Sequence, residues 1–332
     1  MKTRRCFVGI TAIFCLLISA VIPVKATSTG ITDESAIPLH QRKKQVYSHH
    51  QSKTVGQIDG QIIAKKPKTK ARAYIVLNRK TGAILLQKNA NKKYLTASTG
   101  KLMTIYLARR KLANHPHDWQ KRLKFSKTLI KMGTNPNFDG FHAKKGHTYT
   151  VKQIFESAII DSDDNSAIRL GQWVAGSNRK FIKMMNKQAK LWHIKAQFAS
   201  ASGLENDDLA RYGYYVKGGR TSGNLLSAKS LAIIAYHVVH DYPSSMKYFA
   251  TESMKVAGQR MVNQNRMLPG KKYYHKSFKV DGMKTGWTPR AGYCFVGSSR
   301  KGAGLITVTL HDNNEFSDTA KLMRFTYQNL ND

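Results

Sequence analysis

From Ala71 onward, apolar positions gather in short continuous runs near both ends of the chain and in longer helical stretches between them. Ala73-Tyr74-Ile75-Val76-Leu77-Asn78 is strand-like, Arg79-Lys80-Thr81-Gly82 makes a turn, and Ala83-Ile84-Leu85-Leu86-Gln87 returns as a second strand. Tyr94-Leu95-Thr96 then leads into a helix through Leu112, apolar enough to be central to a core. After a weakly patterned stretch (114–146), Thr150 caps a helix to Ile160, and a second helix starts within 161–166 and runs to Ala175. Further helices are predicted over 179–191 and 227–240, separated by Gly-rich and polar loops. The pattern then changes to short strand-like runs at 282–285, 293–298 and 305–310, and a last helix covers about 317–330. Strands at both ends around helices predict an α+β fold: one antiparallel sheet built from both chain ends, flanked by helices, with a helical insertion.

The N-terminal region has a different character. Lys2, Arg4 and Arg5 precede an uncharged apolar run from Cys6 to Val24, and Lys25-Ala26 follows. A basic start, an apolar run and a small exit residue predict an export signal over 1–26; the run is long, so an uncleaved anchor is the alternative. Residues 27–70 are rich in Ser, Thr, Gln, His and Lys, with Tyr47 as their one aromatic side chain, and predict a basic flexible tether. The folded domain is expected over 71–332. Nothing before Cys6 or Cys15 resembles a lipid-attachment box, and cleavage leaves Cys294 without a disulfide partner. Cys294 reads as a packed strand residue, and Trp173, Trp192 and Tyr236 as core.

Charge widens the candidate partners. With 55 Lys and Arg against 19 Asp and Glu, the formal charge is +36, enough to attract polyanions. Nucleic acid is the first class this suggests, but no motif supports it and export conflicts with it. Anionic wall polymers or an anionic membrane surface remain, beside a role in solubility alone. The twelve His show no paired ligand spacing, so neither metal nor other cofactor is expected.

The candidate chemistry starts at Ser98. Lys101 stands three residues on, and i and i+3 share one side of a helix. A serine hydroxyl needs a partner to take its proton, and a buried lysine amine can serve. Ser-x-x-Lys is common by chance, and a Ser N-cap before a solvated Lys is the plain alternative. Two later sites change this: Ser162-Asp163-Asp164-Asn165 and Lys284-Thr285-Gly286, in the order of the Ser-x-x-Lys, Ser-x-Asn and Lys-Thr-Gly set. A second Lys-Thr-Gly, at Lys80, falls in the predicted hairpin turn. The run from Val280 through Lys284-Thr285-Gly286-Trp287-Thr288 to Cys294 closely resembles the third motif of the D-alanyl-D-alanine carboxypeptidases, the low-molecular-mass penicillin-binding proteins. Ala97-Ser98-Thr99-Gly100-Lys101-Leu102-Met103-Thr104 is similar to their first motif, and Ala201-Ser202-Gly203-Leu204 to the loop after the helical insertion. The resemblance covers about Ala71 to Leu330 and implies the serine β-lactamase/penicillin-binding fold.

It also implies roles. Ser98 attacks the penultimate D-Ala carbonyl of a peptidoglycan stem peptide and forms an acyl-enzyme. Lys101 is the base, and Ser162 passes the proton to the leaving D-Ala nitrogen. Lys284 and Thr285 meet the terminal carboxylate, and the N–H groups of Ser98 and Trp287 form the oxyanion hole. β-Lactams would acylate the same serine. Several positions depart from the pattern. Asn and Asp are exchanged in the second motif, so either Asp164 holds the place of the amide or a shift of one residue brings in Asn165. A carboxylate facing Lys101 and Lys284 favours their charged forms and weakens the base; alternatively Asp163 or Asp164 caps the next helix. Gly100 stands where a hydroxyl or larger residue is more frequent, and His311–Asp318 contains no Arg to meet the carboxylate. The chain closes near Leu330, so neither a second β-domain nor a C-terminal amphipathic anchor is expected. The leading reading is a serine DD-carboxypeptidase, with a DD-endopeptidase of the same chemistry beside it. A non-catalytic wall-binding protein with a degenerate second motif is the contrasting class. A β-lactamase needs Glu-x-x-x-Asn after the second motif; the nearest Glu is Glu205, and that Asn is missing.

Overall fold

The computed structural model describes residues 67–330 and the backbone of two short strands, Gly56–Ile58 and Gln61–Ile63. The export signal expected over 1–26 lies outside the described residues. The tether expected over 27–70 is not wholly irregular. Gly56–Ile58 pairs antiparallel with Gln61–Ile63, with Ile58 opposite Gln61. The two residues between them are Asp59 and Gly60, a strong two-residue hairpin signal.

A five-stranded antiparallel sheet organises the rest. Its strands are β1 (Ala73–Asn78), β2 (Ile84–Lys88), β3 (Val280–Thr288), β4 (Gly292–Ser299) and β5 (Leu305–Asp312), in the spatial order β3-β4-β5-β1-β2. Both chain ends thus enter one sheet, as the apolar runs predict. β5 pairs with β1, joining residues far apart in the chain, with Val308 opposite Ile75. β3 lies at one edge and is longer than its run of strand-forming residues. Of its five further residues, 280 and 286–288 are drawn into the ladder by pairing with β4, and Asp281 sits at a bulge between Val280 and Gly282.

Six longer helices complete the domain: α1 (Lys101–Asn114), α2 (Val151–Ile160), α3 (Asp164–Ala175), α4 (Asn178–Leu191), α5 (Ala228–Asp241) and α6 (Glu315–Asn329). α2 begins with a capping box: the Gln153 N–H donates to Thr150 Oγ1 at 3.1 Å and the Thr150 N–H to Gln153 Oε1 at 2.9 Å. α3 ends at Gly176, whose φ of 83° is the left-handed stop for which glycine is suited. α5 packs on one face of the sheet and α6 on the other.

The larger core joins the inner sheet face to α1, α2, α3 and α5; a smaller one lies under α6, around Phe295, Phe316 and Met323. α1 is nearly engulfed, with all residues from Lys101 to Ala108 buried. That explains why its apolar residues show no clean stripe. Trp173, Trp192, Tyr236 and Cys294 are all core, as expected, and burial pushes the Cys294 thiol up to about 12. The weakly patterned stretch 114–146 holds only short pieces, including a strand at Arg122–Lys124 and a helix at Lys127–Gly133.

One ion pair ties the first hairpin to the edge of the sheet. Arg79, in the turn between β1 and β2, donates from Nη1 to both Asp281 oxygens, at 2.9 and 2.8 Å, and to Ser299 O at 3.2 Å. Asp281 is buried, and its other cation, Arg300 at 3.4 Å, is exposed. Arg79→Ala strands this carboxylate and is expected to lower stability by about 2 kcal/mol, measured by urea unfolding.

Candidate active site

Ser98 sits in a one-turn 3-10 helix, Ala97–Gly100, between the short strand Lys93–Leu95 and α1. Thr99 steadies the turn by donating its hydroxyl to Thr96 O at 2.6 Å. Ala97 has a φ of 44°, a left-handed conformation costly for a residue with a Cβ and frequent where a reactive group is held out. Ser98 is therefore presented by a turn just before the helix that its sequence suggests. Lys101 opens α1, and its Nζ donates to Ser98 Oγ at 2.8 Å. The Lys101 side chain is 0% exposed, which removes the plain alternative of a solvated lysine.

The same ammonium gathers the second motif. Lys101 Nζ lies 3.4 Å from Ser162 Oγ and 2.7 Å from Asp164 Oδ1, so its three protons have three acceptors. Ser162 is buried, with a φ of 70°, in the turn between α2 and α3. Asp164 is the residue that takes the place beside the amine. Asn165 does not, and the shift of one residue is corrected. Its Nδ2 donates to Leu129 O at 3.1 Å and Phe141 O at 2.8 Å, and its Oδ1 accepts from the Phe141 N–H at 3.0 Å. One helical step of 100° turns it away from Lys101 to pin the 129–141 segment. Neither acid caps α3: Asp163 occupies the cap position without a capping bond, and Asp164 is in the ion pair.

Lys284 approaches from β3. It is 2% exposed, and its Nζ donates to Thr285 O at 3.1 Å. Burial first, and then the charge of Lys101, lower its pKa to about 7. Burial raises Asp164 to about 6 even though the Lys101 charge opposes it. Asp163 is pushed well above the usual carboxylate range by burial, with Asp161 and Asp139 adding repulsion. Two buried groups of opposite charge type thus titrate near neutrality within one site, which marks a functional cluster more often than a structural one. Thr285 donates its hydroxyl to Gln264 Oε1 at 3.3 Å.

Glycines allow three strands of chain to meet at Ser98. A Cβ on Gly286 would lie 2.8 Å from the backbone N of both Ser98 and Thr99, and one on Gly203 would lie 2.1 Å from Ala97 O. β3 therefore runs against the nucleophile's own backbone, and the Ser200–Leu204 loop closes the other side. The unusual Gly100 has a cause of the same kind: its Cβ would come 2.5 Å from Asn224 Nδ2. That amide cannot yield, because it donates to Ser200 O and accepts from the Ala199 and Ser200 N–H groups.

Some participants were not legible in the sequence. Asn224 and Gln264 belong to no recognisable motif, and Asp139 reaches the site by accepting the Asp164 N–H at its backbone O, 2.9 Å away. Glu205, weighed as a deacylation base, is occupied elsewhere. Its carboxylate is buried, accepts the Thr288 hydroxyl at 2.6 Å and pairs with Arg290 at 2.5 Å. The 311–318 segment holds three acids, Asp312, Glu315 and Asp318, and no Arg.

The close approach at Gly286 gives a direct test. Gly286→Ala forces the edge strand off the Ser98 turn and is expected to lower stability by about 1–3 kcal/mol, measured by urea unfolding.

A family profile described as D-alanyl-D-alanine carboxypeptidase matches residues 61–314. The D-alanyl-D-alanine carboxypeptidase DacC of Escherichia coli (strain K12) is 28% identical over 270 residues, covering 79% of this chain and 62% of the relative. DacF of Bacillus subtilis (strain 168) is 28% identical, over 70% of this chain and 54% of its own length. The chain thus spans less than two thirds of the length of these relatives. Among solved structures, a peptidoglycan synthesis regulatory factor (PBP3) from Streptococcus pneumoniae superposes with a TM-score of 0.74 at 31% identity, covering 79% of this chain and 72% of that one. Penicillin-binding protein D2 from Listeria monocytogenes, solved with cefotaxime bound, gives 0.66 at 25% identity, covering 79% and 99%. With a profile match over most of its length and a hydrogen-bonded Ser98–Lys101–Ser162 cluster beside the buried Lys284, the chain belongs to the D-alanyl-D-alanine carboxypeptidase family.

Proposed function

We propose that this protein is a serine-type D-Ala-D-Ala carboxypeptidase that trims peptidoglycan stem peptides and is acylated by β-lactams. The observation that carries the reading is the 2.8 Å contact between the buried Lys101 amine and the half-buried Ser98 hydroxyl, with Ser162 and Lys284 at the same site. In acylation, Ser98 Oγ bonds to the penultimate D-Ala carbonyl carbon and gives its proton to Lys101 Nζ, which must first have given up one of its three protons. The carbonyl electron pair moves to oxygen, where the N–H groups of Ser98 and Trp287 receive it; each such donor is worth roughly 3 kcal/mol. The C–N bond then breaks, and Ser162 relays the proton to the departing amine. Water attacks the acyl-enzyme to free the shortened peptide and Ser98.

Lys284, with Thr285 beside it, supplies the cation for the substrate's terminal carboxylate, a task that falls to them more heavily without an Arg in 311–318. A DD-endopeptidase would use the same acyl-enzyme with a side-chain amine leaving. Such chemistry belongs outside the cytoplasmic membrane, in keeping with the export signal read in residues 1–26. No helix among the described residues is long and apolar enough to cross a membrane.

Two measurements test the reading. A labelled penicillin should acylate wild-type protein and not Ser98→Ala; folded wild type that takes no label removes it. Lys284 is a cation below its pKa of about 7 and neutral above it. KM for a peptide ending in D-Ala-D-Ala should therefore rise as pH passes upward through about 7, by up to about tenfold per unit.

A further inference from the structure

The carboxylate at position 164 changes what the lysine has to do. Lys101 Nζ stands between Ser98 Oγ at 2.8 Å and Asp164 Oδ1 at 2.7 Å, and the charged side chains of the pair are 0% and 3% exposed. At this burial a Coulomb contact is little screened, so a charge at position 164 acts directly on proton exchange at Nζ. An ammonium cannot accept the serine proton. One proton must pass from Nζ, to Asp164 Oδ1 or out to solvent, before Ser98 Oγ can bond to the acyl carbon and pass its own proton to Nζ. An amide at 164 would hold the lysine by hydrogen bonding alone and would not oppose that loss.

Resting on the acyl-transfer reading above, we propose that Asp164 is a positioning residue of acylation: its carboxylate clamps Lys101 against Ser98 and Ser162 and sets the pH at which the amine becomes free to act. Other charged groups share the field of this pair. Lys284 faces it from β3, Asp139 from the segment ahead of Phe141, and Asp161 and Asp163 from the turn between α2 and α3. Asp161 is partly diverted, because its Oδ1 accepts the Val262 N–H at 3.1 Å. Asp163 is held above the usual carboxylate range by burial. Asp164 is thus the acid that meets the amine in direct contact.

The test is the pH profile of Ser98 acylation by a fluorescent penicillin, from about pH 5 to about pH 9, in wild type, Asp164→Asn and Asp164→Glu. The amide keeps the shape and removes the charge. Its rising limb is expected at least one pH unit lower, a tenfold gain on that limb relative to the plateau, while Asp164→Glu stays with wild type. Superposed wild-type and Asp164→Asn profiles overturn the role of Asp164 and leave the acyl-transfer reading standing. Folded wild type that is acylated at no pH removes that reading and this inference with it. Should Asp164→Asn fail to fold, the 13Cγ shift of Asp164 in the wild-type protein decides. An inflection near 6 is expected, and a carboxyl that stays protonated to about pH 8 makes no ion pair and overturns the proposal.

Discussion

Burying one ammonium is the constraint on which the rest of the site depends. Lys101 sits fully buried at the start of a helix, so its amine must find hydrogen-bond partners inside the protein. Ser98, Ser162 and Asp164 are those partners, and they come from two stretches of chain more than sixty residues apart. The need to satisfy one cation thus brings the Ser98 turn against the turn between α2 and α3. A second buried cation, Lys284, closes the group from the sheet edge, and the carboxylates of Asp139, Asp161 and Asp164 offset the combined charge. Neither lysine would be tolerated there without this set.

The sheet provides the rigidity that such a cluster needs. β3 is an edge strand, so one side of it lies free of a sheet partner and beside the Ser98 turn. Glycine at 286 brings its backbone within contact of the Ser98 N, and Gly203 does the same on the opposite side. The loops are then locked by amides and ions away from the chemistry: Asn165 pins the 129–141 segment, Asn224 pins the 199–200 backbone, and the Glu205–Arg290 pair ties the Gly203 loop to the end of β3. Several side chains that look chemical in the sequence are therefore scaffolding, Glu205 and Asn165 among them.

Much of this was legible from residues alone, for identifiable reasons. Strand and helix positions followed from apolar runs, because burial on a sheet face or a helix face imposes its own period. The Thr150 cap was visible because a capping box is a local arrangement. Boundaries drifted where tertiary contacts decided them. β3 gained residues from pairing with β4, and Ser98 left the helix for a 3-10 turn. The hairpin at 56–63 was hidden by the polar composition around it, although Asp59-Gly60 is its signal. The short pieces between 114 and 146 have no period of their own, since they are held by side chains from elsewhere.

The division between sequence and structure is clearest around Ser162. The sequence by itself determined the fold class, through its order of strands and helices, and pointed to the family through the resemblance that the three motifs and their flanks carry. It left two candidates for the place beside Lys101. The tertiary structure decided for Asp164, since one helical step separates a side chain facing the buried amine from one facing the 129–141 backbone. It also explained Gly100, whose neighbour Asn224 is distant in the chain. Composition and spacing describe what a residue is, but only the packed fold determines which buried charge it has to meet.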